Sequence, residues 1–308
     1  MQKINFKNDI IKNKKITATI GFFDGVHCGH KFLISQLKKE ASNSGSQTMI
    51  VTFINHPRLL FDPKCNLKQL SLPDERLYLL DKTGVDYTLL IDFDKEFASI
   101  TSYQFMEMLH DRFSVQTLIV GYDHHFGSDR CNGIDYYISA GKKIGIDVIK
   151  EERYDDDQVS VSSSKIRRCL TNGDTITAKK YLGYYYFVKG TVVKGQQIGR
   201  TIHYPTANIE VNHLKLLPAD GVYATIAEID EKKYHSMTNI GIRPTVKGKE
   251  KSIETHIFDF DTEIYGKNIK LNFVEKIRSE KKFDNIYQLR NQIEKDEKEI
   301  RHILGQCI

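Results

Sequence analysis

The spacing of apolar residues changes once along the 308-residue chain, and this change limits the possible folds more than any other feature. In the first half, five short runs rich in Ile, Val, Leu and Thr alternate with segments of helical periodicity. Such runs are typical of strands buried on both faces, and their alternation with helices predicts a parallel sheet covered on both sides. The predicted strands are residues 16–23, 48–54, 87–93, 117–121 and 146–149, and the predicted helices are residues 30–42, 74–83, 102–113 and 133–142.

After residue 183, apolar residues recur at every second position, as in strands with one buried face. Two short predicted helices, 164–170 and 175–182, end at Gly183, a residue type that often terminates helices. The strands predicted beyond it are 186–193, 207–211, 222–229, 233–240, 252–257 and 270–277, followed by an amphipathic helix at 284–304. Short strands with polar turns predict an antiparallel barrel or sandwich. We therefore expect two domains, residues 1–183 and 184–308.

The composition, with 40% hydrophobic and 28% charged residues, is typical of a folded globular protein. No segment approaches the length of about 18 apolar residues that a membrane-spanning helix needs, and residues 1–15 lack the apolar core of a signal peptide. The predicted location is therefore cytoplasmic, without a membrane partner. Five scattered cysteines without a C-x-x-C pair argue against a disulfide framework and a structural zinc site.

The net charge of +5 suits anionic small molecules such as ATP. The chain has no dense basic stripe and no RNA-binding or zinc-finger motif, so no nucleic-acid partner is predicted. No oligomeric state follows from the sequence.

The segment 19–30, T-I-G-F-F-D-G-V-H-C-G-H, joins the first predicted strand to the first helix. Its glycines permit a tight turn and a close approach of a ligand to the backbone. His27 and His30 are three residues apart and share one face of a helix that has begun by His27. Two imidazoles beside the free N–H groups of a helix end form a cradle for a triphosphate, whose bridging oxygen gains charge as pyrophosphate leaves. Nucleotide transfer is favoured over an incidental pair or a metal site, which would need a distant third ligand.

Residues 162–164 are three serines that precede an apolar-periodic stretch. One hydroxyl can cap the helix while the others bind phosphate, and the fork of Arg167 lies about one turn later. Alone, this segment indicates a simple helix cap with a solvent-facing arginine; together with H-x-G-H, it indicates a phosphate site. The predicted catalytic residues of the first domain are His27, His30 and Arg167, and the predicted ATP-binding residues are Gly21, Phe22, Phe23, Asp24, Gly25, Ser163 and Ser164.

A second candidate site lies in the other half. Thr206 and Asn208 point to the same face of a strand, where their neutral oxygens can hold Mg²⁺ with ATP phosphates and water as the other ligands. The loop from Gly195 to Gly199 can fold over the phosphates with its N–H groups inward, although it is not a Walker loop. Alone, Thr-x-Asn is a weak signal and more often indicates an exposed strand face.

These motifs carry a resemblance. G-F-F-D-G-V-H-C-G-H resembles the adenylyltransferase signature of the bacterial bifunctional riboflavin kinase/FAD synthetases, and T-F-I-N-H-P (52–57), G-Y-D-H-H-F-G (121–127) and V-S-S-S-K-I-R (161–167) resemble later segments of that family. G-T-V-V-K-G-Q-Q-I-G-R (190–200) followed by P-T-A-N-I (205–209) resembles its riboflavin kinase module. G-V-Y-A (221–224), N-I-G-I-R-P-T (239–245), I-E-T-H (253–256) and residues 271–283 continue the match.

The resemblance implies a Rossmann-like nucleotidyltransferase sheet followed by a six-stranded antiparallel barrel with a terminal helix. It implies phosphorylation of riboflavin to FMN and then adenylyl transfer to FMN, giving FAD and pyrophosphate, with ATP as co-substrate of both steps and Mg²⁺ as cofactor. In that family the Thr and Asn of P-T-A-N bind Mg²⁺, and the Glu of E-x-H accepts the proton of the ribityl 5′-hydroxyl; here these are Thr206, Asn208 and Glu254. The flavin-binding residues that it implies are His56, Pro57, Asp123, Phe126, Gly221, Tyr223 and Arg278.

Two positions depart from the family pattern: Asn55 stands where Pro is usual, and His124-His125 replaces Phe-Arg. Both bear on flavin binding in the first domain. One alternative is a nucleotidyltransferase for another phosphorylated alcohol with a flavin-binding, non-catalytic barrel, since fold does not fix substrate. Another is a regulator with decayed sites, which the intact catalytic and metal-binding residues argue against.

Overall fold

The computed structural model describes residues 1–62, 67–121, 125–129, 133–151, 161–195, 199, 204–245 and 248–306, with the backbone alone at 243–245 and 248–250. The chain divides into two compact units, Met1–Ser162 and Ser163–Ile308. Helices α7 (Ser163–Thr171) and α8 (Thr175–Leu182) are grouped with the second unit. The assignment of functional domains to residues 1–183 and 184–308 stays a prediction.

The first unit is built on a six-stranded parallel sheet of order β1-β4-β3-β2-β5-β6. Its strands are β1 (Gln2–Asn5), β2 (Ile16–Ile20), β3 (Gln47–Phe53), β4 (Tyr87–Ile91), β5 (Val115–Val120) and β6 (Asp147–Lys150). The strand order reverses between β2 and β5, and ligands of such sheets bind outside the carboxyl ends of the strands at that point. The predicted α/β class is confirmed, whereas the edge strand β1 was not predicted.

Helices cover both faces of this sheet, as its buried strands require. They are α1 (Cys28–Ser44), α2 (Pro57–Phe61), α3 (Pro73–Asp81), α4 (Lys95–Ala98), α5 (Ser102–Phe113) and α6 (Ile134–Ile144). Local sequence sets their ends: Thr101 and Gln104 form a capping box on α5, and Gly45 ends α1 in the left-handed conformation. The short helices α2 and α4 were not predicted.

The second unit is a closed six-stranded barrel of order β10-β11-β8-β7-β12-β9 with antiparallel neighbours. The strands are β7 (Phe187–Val193), β8 (Ala207–Glu210), β9 (Gly221–Ile229), β10 (Lys232–Thr245), β11 (Gly248–Ile257) and β12 (Asn268–Arg278). The predicted barrel is confirmed, and the sandwich alternative is wrong. Hydroxyl groups of Thr225, Thr238 and Thr255 bond one another inside it, at 2.7 and 2.9 Å, so these buried polar groups are satisfied.

The terminal helix α9 (Ile286–Gly305) is fixed to the barrel by a buried ion pair as well as by apolar contacts. Asp296, whose side chain is 2% exposed, accepts hydrogen bonds from Nε of Arg278 at 2.9 Å and from its Nη2 at 2.8 Å. Gln292 donates to the same carboxylate at 2.7 Å. A bidentate pair of this kind fixes the position of the helix on β12.

Replacing Asp296 by Ala leaves the guanidinium of Arg278 largely buried and without its carboxylate. We expect Asp296→Ala to lower the free energy of unfolding by about 3 kcal/mol, as measured by denaturant titration. The matched control is Glu294→Ala, because Glu294 forms an exposed pair with Arg290 on the same helix. That control should change stability by no more than about 0.5 kcal/mol. Equal effects of the two substitutions would contradict the role of the buried pair.

Candidate functional site

The turn after β2 reverses the chain sharply and leads into α1. Phe23 and Val26 adopt positive φ angles of 55° and 38°, and Gly25 lies between them at 78°. Positive φ is strained for non-glycine residues and persists only where surrounding contacts enforce it. The buried ring of Phe23 contacts the ring of His30, with centroids 5.1 Å apart, and so helps to hold the turn in place.

Asp24 is the polar anchor of this turn. Its carboxylate accepts hydrogen bonds from the backbone N–H groups of Leu70 at 3.1 Å and Ser71 at 2.9 Å. The hydroxyl of Ser71 in turn accepts from the N–H of Gly25 at 2.8 Å. The structure thus gives Asp24 a framework role, and its predicted contact with ATP stays a prediction.

The two histidines lie side by side at the start of α1. His27 is the N-cap of the helix, and its Nδ1 accepts from the backbone N–H of His30 at 3.3 Å. The two rings stack with centroids 3.6 Å apart. Burial, with smaller effects of His27 and Arg76, holds the pKa of His30 well below its usual value, so this imidazole is neutral near pH 7. A neutral imidazole beside the free N–H groups of a helix N-terminus can donate a hydrogen bond to a phosphate oxygen.

An aromatic cavity of about 690 Å³ opens at the carboxyl edge of the sheet. Three of the residues predicted to bind flavin, His56, Pro57 and Phe126, line it, while Asp123 lies outside the described residues. Asn55 lies beside it and donates to Asp92 at 2.7 Å. The cavity also has phenylalanine side chains that the sequence reasoning missed, at or shortly after the ends of two predicted strands: Phe53, Phe93 and Phe97. Its size and aromatic lining suit a planar ring system.

Ser163 and Ser164 are the first two residues of α7, and Arg167 lies one turn further along it. A helix start rich in hydroxyl groups is the expected setting for binding an anion. These residues belong to the second compact unit and His27 and His30 to the first, so their joint action on ATP stays a prediction.

Strand pairing in the barrel brings the second predicted set together. Asn208 on β8 pairs in register with Glu254 on β11. The hydroxyl of Thr206 donates to Oε2 of Glu254 at 3.4 Å, and Asn208 is 9% exposed. Thr206 also lines a second cavity, of about 560 Å³, whose other wall is the segment 260–265. The predicted metal ligands and the predicted base therefore share one corner of the barrel.

Glycines hold the adjoining loop against this corner. A Cβ atom at Gly195 would overlap the carboxamide of Asn208, and one at Gly199 would overlap the carbonyl oxygen of Tyr204. The N–H of Tyr204 also donates to the carbonyl oxygen of Gly199 at 2.8 Å. One end of the predicted phosphate loop therefore packs against Asn208 and the other against Tyr204, two residues before Thr206, while residues 196–198 lie outside the described part.

The terminal helix and β11 both hold the residues just before Thr206. The hydroxyl of Tyr204 donates to Glu297 of α9 at 3.2 Å, and burial together with the charge of Glu297 raises the pKa of Tyr204 to about 12. Nδ1 of His256 donates to the carbonyl oxygen of Pro205 at 2.7 Å. The position of Thr206 is thus set by two elements that lie far away in sequence.

The remaining predicted flavin residues have framework contacts in the barrel. Tyr223 is fully buried and donates to the carbonyl oxygen of Ala219 at 2.5 Å. A Cβ atom at Gly221, where φ is 147°, would overlap the carbonyl oxygen of Arg278, and the guanidinium of Arg278 is bonded to Asp296. Flavin binding by these residues stays a prediction.

Comparison with known proteins bears on both halves of the chain. The FAD synthetase family model matches residues 9–165, and the riboflavin kinase family model matches residues 182–304. The bifunctional riboflavin kinase/FMN adenylyltransferase of Bacillus subtilis is 34% identical over 312 residues, covering 96% of this chain and 95% of that protein. The chain belongs to this bifunctional family.

Two further members of the comparison agree with that placement. The bifunctional riboflavin kinase/FMN adenylyltransferase of Escherichia coli K12 is 34% identical, covering 93% of this chain and 92% of its own length. A crystal structure described as a macrolide-efflux protein from Streptococcus pneumoniae superposes with a TM-score of 0.89 at 32% identity, covering 98% and 99% of the two chains. In the chain described here, no helix among residues 1–62, 67–121, 125–129, 133–151, 161–195, 199, 204–245 and 248–306 is long and apolar enough to cross a membrane. The predicted family, fold class and pair of ATP-dependent transferase activities are confirmed.

The close contact at Gly195 generates a prediction for the predicted Mg²⁺ and ATP site of the barrel. The methyl group of Gly195→Ala displaces the Asn208 carboxamide, so we expect the KM for ATP in FMN formation to rise about 10-fold or more. Steady-state assays over a range of ATP and Mg²⁺ concentrations measure this. Gly305→Ala is the control, because a Cβ atom there meets no neighbour. An unchanged KM in folded Gly195→Ala would contradict the prediction.

Proposed function

We propose that the barrel phosphorylates riboflavin at the corner formed by Thr206, Asn208 and Glu254, and that the first unit adenylylates FMN at the paired histidines. The observation that carries the proposal is the contact of 3.4 Å between Thr206 and Glu254, with Asn208 in register beside them. Two possible oxygen ligands, a carboxylate and a cavity lie together at this corner. The same chain also contains the stacked histidines of the first unit.

In the barrel, Glu254 accepts the proton of the ribityl 5′-hydroxyl as that oxygen bonds to the γ-phosphorus of ATP. The bond between the γ-phosphorus and the β,γ-bridging oxygen breaks, and ADP leaves with that oxygen. The hydroxyl of Thr206 and the carboxamide oxygen of Asn208 are hard oxygen donors, which fit Mg²⁺ with phosphates and water as its other ligands. Bound Mg²⁺ neutralises charge on the phosphates. The cavity beside Thr206 receives ATP, with Gly195 and Gly199 at the two ends of a loop over its phosphates.

In the first unit, the flavin ring of FMN occupies the aromatic cavity, in contact with His56, Pro57 and Phe126. A phosphate oxygen of FMN bonds to the α-phosphorus of ATP while the bond to pyrophosphate breaks. His27 and His30 donate hydrogen bonds to the oxygens that gain charge, together with the N–H groups at the start of α1. The turn from Gly21 to Gly25 lies beside the bound ATP.

Ser163, Ser164 and Arg167 bind the departing pyrophosphate in this proposal. Support comes from their place at the start of α7 and from the fork of the guanidinium, which matches phosphate oxygens. A cytoplasmic location and the absence of nucleic-acid and membrane partners stay predictions of the sequence.

Glu254→Ala removes the proposed base, and we expect FMN formation to fall at least about 100-fold, whereas FMN is still converted to FAD. The products are separated by chromatography after incubation with riboflavin, ATP and Mg²⁺. Glu228→Ala is the control, because Glu228 lies in the same barrel and pairs with Lys270 at 3.1 Å. Loss of both activities in folded Glu254→Ala would refute the two-site assignment.

Substitution of both His27 and His30 by Ala removes the proposed phosphate contacts of the first unit. We expect FAD formation to fall by about 100-fold or more and FMN formation to continue, because the two histidines belong to the first unit and the proposed kinase corner belongs to the second. Pyrophosphate release from FMN and ATP provides the measurement. His110→Ala, on the exposed surface of α5, should leave both rates unchanged. Normal FAD formation in the double variant would rule out these histidines.

A further inference from the structure

Arg76 on α3 is an arginine that the structure buries almost completely, at 1% exposure. Its Nη2 donates to the carbonyl oxygens of Phe53 at 2.5 Å and Ile54 at 3.2 Å, at the carboxyl end of β3. Nε and Nη1 are buried as well and have no hydrogen-bond partner among the described residues. A buried guanidinium without a bonded carboxylate is costly, so its presence requires a reason beyond packing.

The guanidinium of Arg76 supports one wall of the aromatic cavity. It lies over the ring of Phe22, 4.2 Å from the centroid. Phe22 contacts His56 edge-on at 4.3 Å, and both side chains line the cavity. The hydroxyl of Thr52 donates to the carbonyl oxygen of Phe22 at 3.2 Å, so this residue is held through its backbone and through its ring.

Arg76 is also a fixed positive charge that acts electrostatically on His30 of the histidine pair. Burial lowers the pKa of Arg76 only to about 10, so the side chain stays charged near pH 7. Two ionisable groups act together with it: His27, which like Arg76 disfavours protonation of His30, and Asp24, which favours the charged form of Arg76. Interactions of this kind are strong where water is excluded.

A second arginine in the same unit, Arg112, has similar contacts but lies away from the proposed site. Arg112 on α5 donates to the carbonyl oxygens of Phe6 at 2.7 Å and Lys7 at 3.2 Å, and its guanidinium lies 5.2 Å from the Phe6 ring. It precedes the amino end of β5, so it lies at the edge of the sheet opposite the histidines. Arg112 therefore provides a chemically matched control for Arg76.

We propose that Arg76 is a positioning residue of the adenylyl-transfer site, which fixes Phe22 against the flavin and keeps a permanent positive charge beside His27 and His30. This inference rests on the proposed function of the first unit. As the bond between the α-phosphorus and the pyrophosphate oxygen breaks, negative charge builds up on that oxygen. A preorganised cation stabilises this charge without reorganisation, and it favours the neutral, hydrogen-bonding form of His30.

The test compares Arg76→Met, which keeps the length without the charge, with Arg76→Lys, which keeps the charge. We expect Arg76→Met to lower kcat for FAD formation from FMN and ATP by about 10-fold or more, and Arg76→Lys to stay within about 10-fold of the parent chain. Riboflavin kinase activity of the same samples and Arg112→Met should both remain unchanged in kcat. The proposal is overturned if Arg76→Met keeps the kcat of the parent chain for FAD formation. It is also overturned if folded Arg76→Lys loses more than about 10-fold in that kcat.

The titration of His30, followed by NMR of labelled histidine, separates the electrostatic role from a packing role. The pKa of His30 should rise in Arg76→Met and remain low in Arg76→Lys and Arg112→Met; no difference between the first two variants contradicts the proposal. If Arg76→Met does not fold, the test rests on Arg76→Lys, whose kcat must stay within about 10-fold of the parent chain and whose His30 must keep its low pKa. Absence of FAD formation by the parent chain would instead refute the proposed function of the first unit.

Discussion

The reversal of strand order between β2 and β5 is the constraint on which the first unit depends. Right-handed crossovers send the chain to one side after β2 and to the other side at β5, so the loops at the carboxyl ends separate and leave a crevice. The turn that enters α1 must fit into that crevice, and Asp24 holds it there through the backbone of Leu70 and Ser71. This placement of the turn puts the histidine pair at the crevice, and the aromatic cavity and Arg76 lie at the same carboxyl edge of the sheet.

In the barrel, the proposed reactive groups come from neighbouring strands, so their relative positions depend on strand pairing. Antiparallel pairing of β8 with β11 fixes Asn208 opposite Glu254, and a slip by one residue would turn one of them to the other face. Closure of the barrel removes sheet edges at which such a slip begins. The site is therefore as precise as the strand register, and α9 adds a second restraint through Tyr204.

Sequence pattern predicted those parts of the molecule that depend on local periodicity or on contiguous motifs. The strands of both units, the long helices and the H-x-G-H and P-T-A-N segments fall in this class. The edge strand β1 was missed because Ile4 alone is buried in it, which gives no periodicity. Arg76 was missed because an arginine in an amphipathic helix is expected on the surface, and its burial depends on carbonyl groups of β3. The contacts of Tyr223 with Ala219 and of Arg278 with Asp296 were not predicted either, because no motif marks them, and flavin binding by these two residues stays a prediction.

The hydrogen bond between Tyr204 and Glu297 joins residues 93 positions apart, and this separation has a consequence during synthesis. At a translation rate of about 5–20 residues per second, Glu297 is made on the order of ten seconds after Tyr204. The backbone N–H groups that hold Asp24 belong to Leu70 and Ser71, and Ser71 lies 47 residues further on, so both are made on the order of five seconds after Asp24. On the ribosome, these two partners of the turn before α1 are therefore present while the segment before Thr206 still lacks its hydrogen bond to α9, so the two proposed sites gain these restraints one after the other.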